Sequence, residues 1–221
     1  MSDFKLKPIQ KKKTSKELVY DELKNAILHG AISPDELLTE ISLSETFNVS
    51  RTPIRESLAE LTKEGLLVHV QRKGFKIRQI SDNEKEQIIY LRKSMEQECI
   101  RKLASSIRDD QIHELEEILI EQEDAAKQND RVRNIELDQM FHKTLLEFAE
   151  QNMFKKIFLD LYNLTRVIGH EALMKKGRME EVIEEHRAII DALKEHDEEL
   201  AVNKLLFHLS NTEVIVNNIK Q

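Results

Sequence analysis

Four side chains in the second half of the chain have the types and spacing to hold a metal ion. "LDQMFHKTLLEF" sets Asp138 and His142 four apart, so on a helix both project from one face. His186 falls in a stripe with Met179, Ile183, Ile190 and Leu193, and His208 in a stripe with Leu205, Thr212 and Ile215. One aspartate and three histidines on three helices thus face a common interior. A lone inward histidine is usually a hydrogen-bonded core residue, and an Asp-x-x-x-His pair by itself is often a local polar pair. Four such groups buried together without a common partner would cost about 1–3 kcal/mol for each one left unsatisfied. One divalent cation satisfies them all. Imidazoles with one carboxylate suit Zn, Ni, Mn or Fe(II). An ion that accepts more than four ligands keeps positions open for a small molecule.

A second group lies in "NVSRTPIRESLAELTKEGLL", residues 48–67. Arg51 and Arg55 open a helix in a chain of net charge −7. Cations there oppose the helix dipole, which favours anions at the N-terminus. A guanidinium that forks onto guanine O6 and N7, or grips a phosphate, outweighs that small local cost. Arg72, Lys73 and Gly74 sit at the tip of "VHVQRKGFKI", a hairpin pattern, where they can approach the DNA backbone or minor groove.

The elements that must position these groups follow from periodicity. Leu18, Leu23, Ile27 and Leu28 predict a first helix stopped near Gly30. "EISLSETF" predicts a short second helix with Ile41 or Leu43 and Phe47 inward. Asn48 suits the positive φ of a tight turn and Ser50 an N-cap, with Pro53 harmless in the first turn of the third helix. Ile54, Leu58 and Leu61 form that helix's buried stripe, leaving Thr52 and Arg55 on the opposite side. Two short helices joined by a three-residue turn are a helix-turn-helix, and the hairpin, with Val68, Val70, Phe75 and Ile77 alternating with polar residues, makes it winged. From the capping box at Ser81 and Glu84 onward, six helices are predicted over roughly 83–107, 109–127, 131–149, 151–175, 178–195 and 198–219. The fold class is mostly α: a winged helix-turn-helix over 15–80 and an antiparallel six-helix bundle over 81–221, after a basic tail over 1–14 that holds Lys11, Lys12 and Lys13.

Composition agrees with two parts. Residues 1–80 hold 14 Lys and Arg against 11 Asp and Glu, while residues 81–221 hold 20 against 30. The single cysteine, Cys99, rules out an internal disulfide and fits a cytoplasmic protein. The basic N-terminus lacks the apolar core of a secretory signal, no apolar run is long enough to span a membrane, and the common nucleotide-binding glycine loops are absent.

"FNVSRTPIRESLAELTKEGLL" followed by "RKGF" resembles the DNA-binding domain of the GntR family of bacterial transcription regulators, over about Leu18–Ile80. The resemblance implies base and phosphate contacts from Ser50, Arg51, Thr52 and Arg55, and a wing contact at Gly74. Two departures stand out: Ile41 replaces a basic residue common in relatives, and Asp35 a glycine. "ELDQMFHKTLLEFAEQN", "EEHRAIIDALKEHD" and "LLFHL" resemble the all-helical FCD domain of FadR-type regulators, and six helices rather than seven are closer to the VanR-like branch. That resemblance implies metal ligation by Asp138, His142, His186 and His208, and a small organic acid against the ion. Arg92 lies in the otherwise apolar stripe of Ile88, Met95, Cys99 and Leu103, so its charge needs a partner, and it is the residue to meet the acid's carboxylate. Arg166 and His170 are weaker candidates for the same role.

The resulting expectation is a cytoplasmic homodimeric repressor on an inverted-repeat operator, not an enzyme, controlled by a small carboxylate at a metal site. A metal-dependent hydrolase is the rival from another class, suggested by the His196-Asp197 pair, though that pair sits in the charged run "KEHDEE". A purely structural metal and a metal-free acyl-CoA sensor are the remaining alternatives.

Overall fold

The computed structural model describes residues 13–28 and 30–218. The chain divides into two compact units, residues 1–78 and 79–221. Most of the basic tail, with Lys11 and Lys12, lies outside the described residues, as does residue 219 at the predicted end of the last helix.

The first unit consists of α1 (Ser15–Leu28), α2 (Glu40–Phe47), α3 (Arg51–Lys63), β1 (Leu67–Val70) and β2 (Gly74–Ile77). Thr39 caps α2 through a capping box with Ser42, and Asn48 takes the left-handed conformation that ends it, at φ 51°. Ser50 has the extended backbone of an N-cap, but its side chain makes no capping bond. Ile54, Leu58 and Leu61 are fully buried under α1 and the hairpin, each burial worth about 1.5–3 kcal/mol. The first helix turns Val19 inward and leaves Leu18 exposed, one residue off the predicted stripe. The hairpin differs in the same way. Leu67 pairs with Ile77 and His69 with Phe75, while Val68 pairs with Lys76 on the other face and is exposed. Phe75 and Ile77 share a face as the pattern predicts, but in β1 the frame is one residue off, because the buried pair Leu66 and Leu67 leads straight into the strand. Leu38 adds a short third rung, exchanging two backbone bonds of 2.8 Å with Phe75.

The second unit is the six-helix bundle: α4 (Asp82–Ala104), α5 (Asp109–Lys127), α6 (Arg131–Phe148), α7 (Asn152–Leu173), α8 (Arg178–Lys194) and α9 (Glu198–Asn218). Links of three or four residues join them. Left-handed Asn129, Glu150 and His196 close three of the helix ends. The Ser81–Glu84 capping box opens α4 as the sequence predicts. Helix α4 ends at Ala104, three residues short of the predicted end, and Ile107 in the link tucks into the core. Helices α5, α6, α8 and α9 share the main apolar core around Leu115, Phe141, Leu145, Ile189 and Leu205. A separate apolar cluster joins α4, α7 and α9 through Ile88, Ile89, Ile168 and Val216.

Candidate functional site

The helix periodicity brings the four predicted ligands together inside the bundle. Ligand atoms of Asp138, His142, His186 and His208 all lie within 4.8 Å of one another, and the three histidines are buried. The Asp138 Oδ1 atom stands 3.5 Å from His186 Nε2 and 3.8 Å from both His142 Nε2 and His208 Nε2. His142 Nε2 and His208 Nε2 are 3.1 Å apart. Two nitrogens on one ion at about 2.0–2.1 Å stand roughly 3.0–3.4 Å apart. The spacing therefore fits a shared cation.

Each ring is held from behind by a residue that the sequence reading did not single out. His142 Nδ1 lies 2.5 Å from Glu96 Oε2 on α4. His186 Nδ1 donates to Gln122 Oε1 on α5 at 2.8 Å, and His208 Nδ1 to Glu185 Oε2 on α8 at 2.7 Å. Hydrogen bonds keep the proton of His186 and His208 on Nδ1, and the Glu96 carboxylate beside His142 Nδ1 favours the same tautomer there, so that each Nε2 presents a lone pair to the centre. His186 Nε2 is buried and has no hydrogen-bond partner. Three such lone pairs beside a carboxylate oxygen repel one another, and a cation is what turns the repulsion into bonding. The donor set thus fits a borderline divalent ion. Burial pushes the His186 imidazole well below its usual pKa, with the neighbouring His208 and His142 adding to the shift, and it also lowers His208 against the upward pull of Glu185. Neutral imidazole is the form that ligates a metal.

The backing carboxylates are gripped in turn. Arg92 Nε donates to Glu96 Oε1 at 2.7 Å. Arg178, fully buried at the start of α8, forks onto Glu185 at 2.6 and 2.8 Å and reaches Thr212 at 3.2 Å. Burial would raise both carboxyls. Arg92 and His142 outweigh it at Glu96, and His208 and Arg178 at Glu185, leaving each pKa at about 2. Asp138 is steadied by Gln139, which donates to its Oδ2 at 2.8 Å and accepts from Thr165 at 2.6 Å. Beside this centre is a cavity of about 30 Å³, lined by Asp138, His208, Arg92, Arg178 and a wall of aliphatic side chains.

Arg92 lines the cavity, and its Nη2 has no hydrogen-bond partner. Arg166 is placed elsewhere. It donates to Glu136 at 2.9 Å, lies over the Tyr162 ring and is not among the cavity-lining residues. One turn of helix spacing separates it from Tyr162, and that local stacking turns its guanidinium away. The His196-Asp197 pair is structural. The His196 ring donates to the Ala104 carbonyl at 2.7 Å, and Asp197 accepts from the Leu200 amide at 2.9 Å.

On the first unit, Ser50, Arg51, Thr52 and Arg55 are all exposed at the N-terminal end of α3. Glu40 on α2 accepts from both arginines: from Arg51 at 2.8 and 3.2 Å, and from Arg55 at 2.9 Å twice. Those two guanidinium groups hold its pKa at about 2. Arg72 and Lys73 are exposed at the hairpin tip, and Arg72 is left-handed at φ 61°. That conformation costs an ordinary residue about 1–2 kcal/mol. Gly74 has a structural reason of its own: at φ 132°, an added Cβ would lie 2.4 Å from the Leu38 carbonyl oxygen.

A winged helix-turn-helix with exposed arginines, carried with a helical bundle around a buried polar centre, defines a DNA-binding regulator. Residues 15–77 match the bacterial regulatory proteins of the gntR family, and residues 87–211 match the FCD domain. The chain belongs to the GntR family of transcription regulators, in its FCD subfamily. It is 31% identical over 216 residues to the uncharacterized HTH-type transcriptional regulator YdhC of Bacillus subtilis, spanning 96% of this chain and 93% of that one. It is 27% identical over 203 residues to the HTH-type transcriptional repressor RspR of Escherichia coli, spanning 92% and 89%. The fold matches E. coli McbR/YncC with a TM-score of 0.74 at 19% identity, over 95% of this chain and 100% of that one. It also matches a GntR regulator from Rhodococcus sp. RHA1 with a TM-score of 0.76 at 20% identity, over 93% and 98%. These relatives are transcription regulators, not enzymes. Among the described residues, no helix is long and apolar enough to cross a membrane.

Proposed function

We propose that this regulator is a cytoplasmic repressor whose grip on DNA is set by a small organic acid bound beside a divalent metal in the helical unit. Asp138, His142, His186 and His208 hold the ion, drawn from Zn, Ni, Mn and Fe(II). Such an ion supplies a Lewis-acidic anchor for a carboxylate. The protein's own residues do the rest. Glu96, Gln122 and Glu185 fix the imidazole tautomers, and Arg92 offers its unpartnered Nη2 to the acid.

At the other end, Arg51 and Arg55 enter the major groove from α3, with Ser50 and Thr52 on the adjacent phosphates and Arg72, Lys73 and Gly74 reaching the backbone or minor groove. A homodimer places one winged helix on each half of an inverted repeat. The acid controls repression to the extent that it binds the DNA-bound and free arrangements with different affinity.

The observation that supports the metal reading best is the convergence of three backed Nε2 atoms on Asp138. The test is the metal content of protein purified without affinity metals or chelators, for the wild type and His208→Ala. One ion per chain in the wild type and little in the variant is the expected result. No ion in either protein after adding Zn, Mn or Ni overturns it.

A further inference from the structure

Glu40 grips both arginines of α3 from the neighbouring helix, and it leaves one edge of each guanidinium open. On the reading of α3 as the helix that enters the major groove, we infer that Glu40 is a positioning residue for sequence recognition. It steers Arg51 and Arg55 onto two closely spaced G·C pairs of each half-site and away from phosphates.

The carboxylate is anchored before DNA arrives. Glu40 is the first residue of α2, directly after its cap Thr39 and after Leu38, whose backbone is bonded to the hairpin. The helix dipole favours an anion there. The dipole alone does not explain why the side chain meets arginines 11 and 15 positions further along the chain. Its neighbour Ile41 is exposed and brings no cation to share the carboxylate.

The grip is side-on. Each arginine meets Glu40 through Nε and Nη2. A guanidinium carries five N–H donors in a planar fork. The Nη1–Nη2 edge is thus clear of the carboxylate, and two parallel donors of that kind fork onto guanine O6 and N7. The Arg51 and Arg55 side chains are 57% and 65% exposed against 21% for Glu40, so DNA meets the guanidinium groups first. Their Nη2 atoms lie 2.8 and 2.9 Å from the same Oε2, and are therefore at most 5.7 Å apart. Base pairs stack about 3.4 Å apart. The two forks reach adjacent pairs, or pairs with one other between them.

The same carboxylate handicaps the alternative contact. A phosphate is an anion and is repelled by Glu40, whereas the edge of a guanine is neutral. Two cations and one anion leave a net charge of one at this spot, so α3 gains less from non-specific DNA than its arginines would give alone. Specificity is a difference of affinities, and part of it here comes from weakening the wrong contact.

The test is selection of binding sites from a random duplex library by the full chain. The selected duplex, and one lacking its G·C pairs, are then titrated at several salt concentrations. The wild type should select half-sites with two G·C pairs, adjacent or one pair apart. Glu40→Gln should cut the ratio of specific to non-specific affinity about tenfold, and steepen the salt dependence of non-specific binding by about one unit. Glu40→Asp keeps the charge but is a methylene too short to hold both groups. It should lose the preference while keeping the shallow slope, and it carries the test if the Gln variant fails to fold. Equal strengthening of specific and non-specific binding in Glu40→Gln overturns the inference. So does an unchanged preference in both variants, or a wild-type half-site without two neighbouring G·C pairs. Arg51→Ala and Arg55→Ala separate this from the reading of α3. If neither changes the selected sequence, α3 is not the reader. If they change it and the Glu40 variants do not, only the role of Glu40 falls.

Discussion

Two arginine pairs in this molecule do opposite things with the same side chain. Arg51 and Arg55 stand exposed on α3 and share one carboxylate, Glu40, at the surface. Arg92 and Arg178 are buried, each gripping a glutamate inside the bundle, and each glutamate lies against one histidine. A surface pair contributes little and gives way readily to a phosphate or a base. A buried pair does not, because removing one partner strands the other in a medium that solvates it poorly. The first arrangement keeps charge available, whereas the second keeps it fixed in place.

That contrast breaks most visibly in the bundle. Arg178→Ala should remove about 3–5 kcal/mol from the helical unit by leaving Glu185 buried without its guanidinium. Urea unfolding followed by helical circular dichroism measures this, and a loss below about 1 kcal/mol would place Arg178 with the surface pairs.

pH is the next lever. Burial keeps His186 neutral well below its usual range in the folded protein, whereas the unfolded chain takes up that proton near 6.5. Below that value the unfolded state binds more protons, so the stability of the chelator-treated bundle should fall as pH drops from about 6.5. Above it the contribution is fully present. Thermal unfolding at stepped pH reads the slope, and a flat profile would mean that His186 is solvated.

The DNA face should respond in affinity instead of stability. Arg55→Ala should weaken operator binding about tenfold to a hundredfold, the worth of a bidentate base contact, and leave the melting of the free protein unchanged. If only the salt dependence falls while sequence preference survives, Arg55 holds a phosphate. The smallest effect is expected from Glu40→Gln. Its melting midpoint should stay within about 2 °C of the wild type, and non-specific DNA binding should strengthen as the two guanidinium groups lose their competitor. A large fall in the midpoint would show that Glu40 is a structural tie.

Periodicity carried most of this in the sequence. The limits of α5, α6 and α8, the start of α9 and the convergence of Asp138, His142, His186 and His208 were legible because each depends on one helix's own stripe. Glu96, Gln122, Glu185 and Arg178 were not. Each interrupts an apolar stripe with a polar residue, which was the available signal, but their partners lie on other helices and only interhelical packing chooses them. Short elements also defeated the reading. A four-residue strand offers too few alternations to fix its frame, so the pattern points Val68 inward where the structure buries Leu67. Arg166 pairs with Glu136 and lies over Tyr162, a placement set by neighbours that its own helical stripe does not reveal.

Leu38 carries a last implication. It trades two backbone bonds with Phe75, and it directly precedes Thr39, the cap of α2. The hairpin and the helix that bears Glu40 are stitched at one residue, and Gly74 is what lets the two backbones come that close. In solvent-exchange terms, the Leu38 and Phe75 amides form a single clasp and should trade their protons together. A methyl group added at Gly74 would undo that clasp and free the basic tip from the helices it travels with.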